Sequence, residues 1–282
     1  MLLQQAIHAD GQGGAEMTQM YELLTDDGSG FSFLGDIAVK LRELSLEQVT
    51  GVAAGSPEFS TALIKIRIAG SRTDAALHTH ELVQRRYAER GYDLPTATPD
   101  PNLYTVAAYD QGSLVGTVGV RVDSARGLSA DELYPAELSA LRIRSLQLCE
   151  FTRLAVDDSA LSKTVLASLF HTAYLYAHKL CGVDAAVIEV NPRHVPFYIR
   201  ALQFERIGPE RHNKRVDAPA VLLNVPFERI AQGVARYAGK PELATSTRTL
   251  YPYGFSPAEE AGILNRLRLQ QEARQQHSLL LH

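Results

Sequence analysis

Residues 182–191 read GVDAAVIEVN. A run this short and this rich in apolar and β-branched residues leaves no face for water, so it predicts a strand at the centre of a sheet. The next residues, PRHVPFYIRAL, predict a helix with Pro192 in its first turn, where a missing N–H costs little. A central strand needs neighbours on both sides, and the flanking sequence supplies them. ALIKIRIAG alternates and ends in glycine, which predicts a strand. DAALHTHELVQRRYAERGYDLP carries apolar residues at helical intervals from Asp74 and meets a C-terminal stop at Gly91. NLYTVAAYDQGSLVGTVGVRVDS is two β-rich runs around the hairpin signal DQGS. SADELYPAELSALR reads as one helix, made irregular by Pro135. LCEFTRLAV predicts a strand over 147–156, followed by a helix over about 159–180, and QFERIG and PAVLLNV predict two more strands. From residue 62 the order is β, α, β, β, α, β, α, β, α, β, β. That alternation indicates an α/β domain built on a mixed sheet.

The division that follows is an N-terminal extension over 1–60, a catalytic-type domain over 61–227 and a helical C-terminal extension over 228–282. The first is broken by DGQGG, TDDGSG and GVAAGSPEFS, with GDIAVKLREL as a short helix between them, and reads as a loose lead-in. The last closes on AEEAGILNRLRLQQEARQQHSLL, a partner helix or a lid. With 282 residues the chain is long enough to bury a sizeable core. A net charge of −4 argues against a dedicated nucleic-acid binder. Two cysteines, Cys149 and Cys181, form neither a disulfide framework nor a zinc spacing and read as reduced core residues. No metal site is expected. MLLQQAIHADGQGG lacks a basic start, and no apolar run approaches a membrane span, so the expected compartment is the cytoplasm.

Two groups of residues carry chemistry. Glu150 and Arg153 are three apart on one strand, which puts them on opposite faces unless a bulge intervenes. A buried charge needs a partner. A carboxylate suits removal of a proton from an amine nucleophile, and an arginine suits bidentate binding of a carboxylate. Glu150 is therefore a candidate base, or else a structural ion pair with a neighbouring strand, and Arg153 a candidate substrate ligand or a core residue. Asn191, Arg193 and His194 cluster where the central strand ends, a place that lines ligand crevices in open α/β sheets.

VIEVNPRHVPFYIRALQFERIG resembles the GNAT acyltransferase segment in which a strand ends in Asn and a Tyr follows seven residues later, here Asn191 and Tyr198. The fold implied is a GNAT-like mixed, splayed β-sheet flanked by helices. Tyr198 then stands where that family has a general acid for the leaving thiolate. Gln203 stands where glycine is common. GNAT enzymes that use CoA carry a glycine-rich turn between the fourth strand and its helix, whose N–H groups cradle the pyrophosphate. In this chain RLAV is followed by DDSALSK, without glycine and with Asp157 and Asp158. Like charges about 4 Å apart cost about 1–4 kcal/mol depending on the dielectric, so a nucleotide-bearing donor is disfavoured. The same aspartates also suit a helix N-terminus.

A donor lacking the nucleotide fits such a turn. CEFTRLAV resembles the Glu-x-x-Arg strand of homoserine-lactone synthases and of the FeeM-type N-acyl amino acid synthases. The combination with GTVGVRVDSARGLSADELYP, RRYAERGYDLP and VDAPAVLL is similar to the FeeM type in particular, over roughly 62–226. The absence of any Trp argues against the lactone synthases. The resemblance implies transfer of a long acyl chain from acyl carrier protein to the α-amine of an amino acid, with tyrosine as the suggested acceptor. It implies no bound cofactor, the donor being carried on the carrier's phosphopantetheine, and a product that partitions to membranes. It implies Glu150, His194 and Tyr198 as catalytic and Arg153, Asn191, Arg193, Arg86 and Tyr87 as substrate-binding. An acidic carrier would dock on basic residues, which concentrate in 61–90 and 206–215. An acyl-CoA transferase and a degenerate acyl- or partner-binding module are the alternatives.

Overall fold

The computed structural model describes residues 30–34, 39–40, 61–62, 64–70, 74–89, 100–110, 113–157 and 163–280. The strands among them are β1 (Gly30–Leu34), β2 (Val39–Lys40), β3 (Thr61–Ala62), β4 (Ile64–Gly70), β5 (Leu103–Asp110), β6 (Ser113–Val122), β7 (Leu148–Val156), β8 (Ala185–Val190), β9 (Glu205–Arg206), β10 (Arg211–Asn213) and β11 (Ala218–Pro226). The α-helices are α1 (Asp74–Ala88), α2 (Pro135–Ile143), α3 (Lys163–Tyr174), α4 (Val195–Leu202), α5 (Phe227–Tyr237) and α6 (Pro257–Leu280). One sheet runs in the order β1-β4-β5-β6-β7-β8-β11-β10, with β9 also on β11, and β2 pairs with β3 apart from it. Its ladders are antiparallel except β7–β8, the two strands that α3 connects. A helical crossover is what a parallel neighbour requires. The expected mixed sheet flanked by helices is the observed one.

The two faces are covered differently. Cys149, Phe151, Ala186, Ile188, Val221 and Leu223 point to one face, where α3, α4, α5, α6 and the strap 250–255 build the larger core. Leu148, Ala185, Val187 and Leu222 point to the other face and pack under Leu128, Tyr134, Leu138 and Leu141, from α2 and the segment before it. On this second face α1 lays Leu82 and Val83 against Ala155 of β7. No helix among the described residues is long and apolar enough to cross a membrane.

Several elements depart from the sequence reading. Val39–Lys40, inside the expected helix GDIAVKLREL, is extended and paired with β3; the rest of that segment lies outside the described residues. The N-terminal lead-in supplies β1, which zips onto β4 and extends the sheet. SADELYPAELSALR is two helices: a 3-10 turn over Ser129–Glu132, then α2, which Pro135 starts instead of disturbing. The helix after β7 ends in a π-helix over Leu175–Leu180, where Cys181 N–H reaches the Tyr176 carbonyl at 3.1 Å. This wider turn and Gly182, at φ 71°, carry the chain outward, so Cys181 is exposed while Cys149 is buried. The edge strand β10 has only three residues and no apolar pattern to announce it.

The short helix α4 ends where glycine was missed. Gln203 sits at φ 60°, ψ 29°, in the left-handed region, and Phe204 N–H reaches back to the Tyr198 carbonyl at 3.2 Å. That six-residue closure favours glycine because a Cβ crowds the backbone there. Gln203→Gly is therefore expected to stabilise the fold by about 1 kcal/mol in urea or thermal denaturation. A loss of stability would refute this account of the helix end.

Candidate active site

The sheet opens at β7–β8, the one parallel ladder among the described strands. Leu148 pairs with Ala185, Cys149 with Ala186 and Glu150 with Val187, and the ladder stops there. Each strand keeps its outer neighbour beyond that point: β7 follows β6 as far as Val156–Gly116, and β8 follows β11 to Val190–Val221. From Phe151 and Ile188 onward the inner edges face a gap.

Part of the opening comes from a β-bulge. Gly119 pairs with Thr152 and Thr117 with Ala155, so Arg153 and Leu154 together oppose Val118. Arg153 has φ 51°, and its carbonyl accepts a 3.0 Å bond from the Thr117 hydroxyl. A bulge bends and twists the strand that carries it. It also breaks the two-residue alternation, which is the exception under which the opposite-face expectation for Glu150 and Arg153 ceases to apply. Arg153 lies close enough to His80 of α1 to help lower its pKa, after burial, and α1 covers the face toward which Glu150 points.

Glu150 sits on the last paired rung, 3% exposed. Its carboxylate accepts a 2.6 Å bond from Ser129 N–H and lies 3.6 Å from the Arg121 guanidinium, across the ladder. Arg121 is itself held by Asp100 at 2.7 Å. Burial pushes the Glu150 pKa up, and Arg121 and Ser129 offset part of that rise. The loop delivering Ser129 is clamped by Arg142, which binds Asp123 at 2.7 Å and Asp131 at 2.6 Å, while Asp131 accepts from Leu128 N–H. Gly127 makes the preceding turn at φ 73°, where a Cβ would sit 2.8 Å from the Asp131 carboxylate.

The predicted residues fall into three places. Asn191, Arg193 and His194 do form one cluster, at the upper end of β8. Asn191 caps a 3-10 turn by accepting from Arg193 N–H at 3.2 Å, and Arg193 Nε donates to His194 Nε2 at 3.1 Å. The helix expected from Pro192 thus begins as this turn and becomes α4 at Val195. Four residues separate Asn191 from Val187, about 13 Å along a strand, so this cluster marks the rim of the gap and Glu150 its base. Tyr198 is on the other face, buried against Phe170, Phe197 and Phe204 at ring distances of 6.4, 5.1 and 5.9 Å. Arg86 is buried on α1 and paired with Glu89 at 2.7 Å, and Tyr87 is on the same helix with its side chain outside the described residues. Glu150 and Tyr198 lie on opposite sides of the sheet, on either side of the place where the β7–β8 ladder ends.

An apolar cavity of about 20 Å³ lies on the Tyr198 side, lined by Phe151, Phe170, Leu202 and Phe204, with Leu250 and Tyr251 beyond them. It holds about one water-sized group and is not an open tunnel. Phe151 belongs both to this cavity and to the first position past the last β7–β8 rung.

Two residues missed in the sequence matter here. Arg121 became visible only through strand register. Glu189 had a signal, a single charge inside the apolar run AAVIEV. It points to the Glu150 face, accepts from Asn213 Nδ2 and meets Arg215 at 3.3 Å, and burial raises its pKa, with Glu150 adding to the rise. Arg215 also reaches Glu132 at 3.3 Å, and Arg211 is held by Glu137 at 2.7 Å. Much of the basic stretch 206–215 is therefore paired internally. A polar pocket of about 180 Å³ lies over this network, lined by Glu132, His212, Lys214 and Arg215 among others. At the turn after β7, Asp157 pairs with Arg85 at 3.0 Å, while Asp158 lies outside the described residues. Among the described residues no cluster of His, Cys, Asp or Glu is placed to hold a metal ion.

The family model for N-acyl amino acid synthase FeeM matches residues 78–226, more than half of the chain. The chain belongs to the FeeM N-acyl amino acid synthase family. The matched region contains β5 through β11, the gap and every residue of the Glu150 network. The solved structure of FeeM, from uncultured soil microbes, is 28% identical, with a TM-score of 0.55 over 60% of this chain and 92% of that one. The AHL synthase LasI, at 18% identity and a TM-score of 0.45, covers 59% of this chain and 91% of its own. An N-acetyltransferase described as putative, from Lactobacillus plantarum, is 15% identical with a TM-score of 0.43, over 58% and 98%. No curated protein matches the chain. Family membership makes the protein an N-acyltransferase of GNAT-like fold.

Burial of Glu150 gives a testable pH dependence. A carboxyl whose folded pKa exceeds its unfolded value contributes stability that is complete below the unfolded value and is lost as pH rises through the folded one. Glu150→Gln removes that loss. The Tm of the variant relative to the unaltered protein is expected to climb by a few degrees as pH rises above the ordinary glutamate range. A flat or falling difference would contradict a raised pKa.

Proposed function

We propose that the protein transfers a long acyl chain from the phosphopantetheine of an acyl carrier protein to the α-amine of an amino acid, with an aromatic acceptor such as tyrosine. The observation that carries this reading is the end of the β7–β8 ladder at Glu150. There a buried carboxyl of raised pKa meets a gap whose far side is apolar. An extended pantetheine arm carries two amides, and parted strands offer it backbone groups in the manner of an added strand. The amine must reach the thioester carbonyl as the free base. Glu150, with a pKa nearer neutrality than an ordinary carboxylate, is suited to take its proton. The C–N bond forms, negative charge gathers on the carbonyl oxygen, and backbone N–H groups at the gap stabilise it. The C–S bond then breaks and the sulfur leaves with a proton, for which Tyr198 is the candidate donor. Asn191, Arg193 and His194 at the rim, with Arg153 and Arg86 from the α1 side, are the proposed contacts of the amino acid and the arm. Tyr87 of α1 is proposed with them.

The preference for a carrier-bound donor rests on the turn after β7, which has no glycine to admit a pyrophosphate. Its charge argument is weaker than the sequence suggested, because Arg85 offsets Asp157. An acidic carrier is proposed to dock beside the rim, where Arg193 and Arg200 are exposed. The cytoplasm is the compartment in which such a carrier would be met.

The test is incubation with acyl carrier protein loaded with dodecanoyl to hexadecanoyl chains and a mixture of amino acids, with products identified by mass spectrometry. The matching acyl-CoA thioesters form a parallel arm. N-acyl amino acid from the carrier arm is the expected result, and Glu150→Gln is expected to lower kcat/KM by about 10²–10⁴ and to remove the acid limb of its pH profile. Product from the CoA arm alone would overturn the donor assignment. No product from either arm would overturn the whole reading.

A further inference from the structure

The apolar cavity is closed by residues outside the family-matched region. Phe151, Ala167, Phe170, His171, Leu202 and Phe204 come from the matched part, whereas Ile230 and Val234 of α5 and Leu250, Tyr251 and Gly254 of the strap come from the C-terminal extension. These later residues form the wall farthest in sequence and in the sheet stack from the gap. We propose that this extension is the end stop for the acyl chain and so determines which chain lengths the enzyme accepts. The inference rests on the long-chain reading above and goes beyond it, by assigning specificity to a segment that the family match does not include.

The wall is built to stay in place. Leu250 N–H donates to the Ala201 carbonyl at 2.9 Å, at the end of α4. The Tyr251 ring lies on Gly233 of α5 so closely that a Cβ there would come within 2.3 Å of it. Phe255 N–H donates to His171 Nδ1 at 3.1 Å, and His171 Nε2 lies 3.4 Å from Glu260 of α6. The accepting role of Nδ1 puts the ring proton on Nε2, facing that carboxylate. Gly254 passes so near His171 that a Cβ would sit 2.8 Å from its ring nitrogen. Strap, α5 and α6 are thus tied to α3 and α4, the helices that floor the cavity.

A chain entering from the gap would pass Phe151 and run between α3 and α4 toward Leu250 and Val234. Apolar rings along that course can turn aside, but the wall behind them is fixed. The room it leaves is small, so each added CH₂ must find apolar surface or be rejected. Two CH₂ groups placed against a wall, or accommodated by its removal, are worth on the order of tenfold in relative affinity.

The experiment is a competition among acyl-carrier-protein thioesters from octanoyl to octadecanoyl, read as product ratios, for the unaltered protein and for Leu250→Ala, Val234→Ala and Val234→Phe. Val234 is half-buried and so tolerates change. The two alanine variants are expected to shift the preferred chain upward by at least one two-carbon step, with a ratio change of about tenfold, and Val234→Phe to shift it downward. Calorimetric binding of free fatty acids of the same lengths provides a readout that needs no acyl transfer. Folded variants with unchanged length ratios in both measurements would overturn the end stop, as would a uniform loss at every length. An inactive unaltered protein that still shows the expected length shifts in fatty-acid binding would overturn the transfer reading and leave the end stop standing.

Discussion

Neighbouring strands stay together only while their backbone groups meet, and β7 and β8 meet over three residues. The proposed mechanism follows from that short ladder. A sheet is otherwise a wall: side chains on its two faces are separated by the backbone layer and cannot act on one atom. Parting two central strands makes a slot through the wall. Under the proposed mechanism, such a parting would let Glu150 on one face and Tyr198 on the other act on one substrate. The parting is possible because each strand has a second partner, β6 or β11, so neither loses its place when the shared ladder stops. The bulge at Arg153 supplies the change of direction at β7.

A carboxyl at the base of such a slot is expensive to bury, and its surroundings show how the cost is limited. Glu150 receives the Ser129 N–H and the fields of Arg121 and, more weakly, Arg215, which is less than full compensation for burial, so its pKa stays raised. More donors would have lowered the pKa further and left a group less suited to the proposed role of base. The donor itself depends on order elsewhere: Arg142 holds both aspartates of the loop, and its protonated form is reinforced by the hydrogen bonds it donates to Asp131 and Asp123. The chain of cause runs from Arg142 to the loop, from the loop to Ser129, and from Ser129 to the proton affinity of Glu150. Glu189 extends it, since two buried carboxyls on one face raise each other's cost of ionisation.

Periodicity and composition were enough for the architecture. The continuous apolar run AAVIEV, the alternation in ALIKIRIAG and the hairpin around DQGS each name their element without reference to the rest of the chain. Pairing information was missing. Nothing local in LCEFTRLAV announces a bulge, because no glycine marks the positive φ that Arg153 adopts, so the sequence could name the bulge only as an exception to alternation. Arg121 was invisible for a related reason: its link to Glu150 is a matter of register across strands 29 residues apart in sequence. The basic stretch 206–215 looked like an open docking face because the acids that hold it, Glu132, Glu137 and Glu189, come from distant elements. Gln203 was flagged correctly as a residue in a glycine's position, and the structure gives the reason in its left-handed backbone.

The two extensions act on opposite ends of the same core. β1 lengthens the sheet beyond β4, while α5, the strap and α6 thicken the layer over α3 and α4. Neither belongs to the matched region, yet the second completes a cavity that the matched region only begins. A fold that needs a slot through its sheet has weakened its own centre, and packing added on the slot's apolar side restores cohesion there. The same residues necessarily limit the space behind the slot. If the proposed end stop holds, Leu250 serves both packing and substrate size, whereas the half-buried Val234 offers a place where size selection can be changed with less effect on stability.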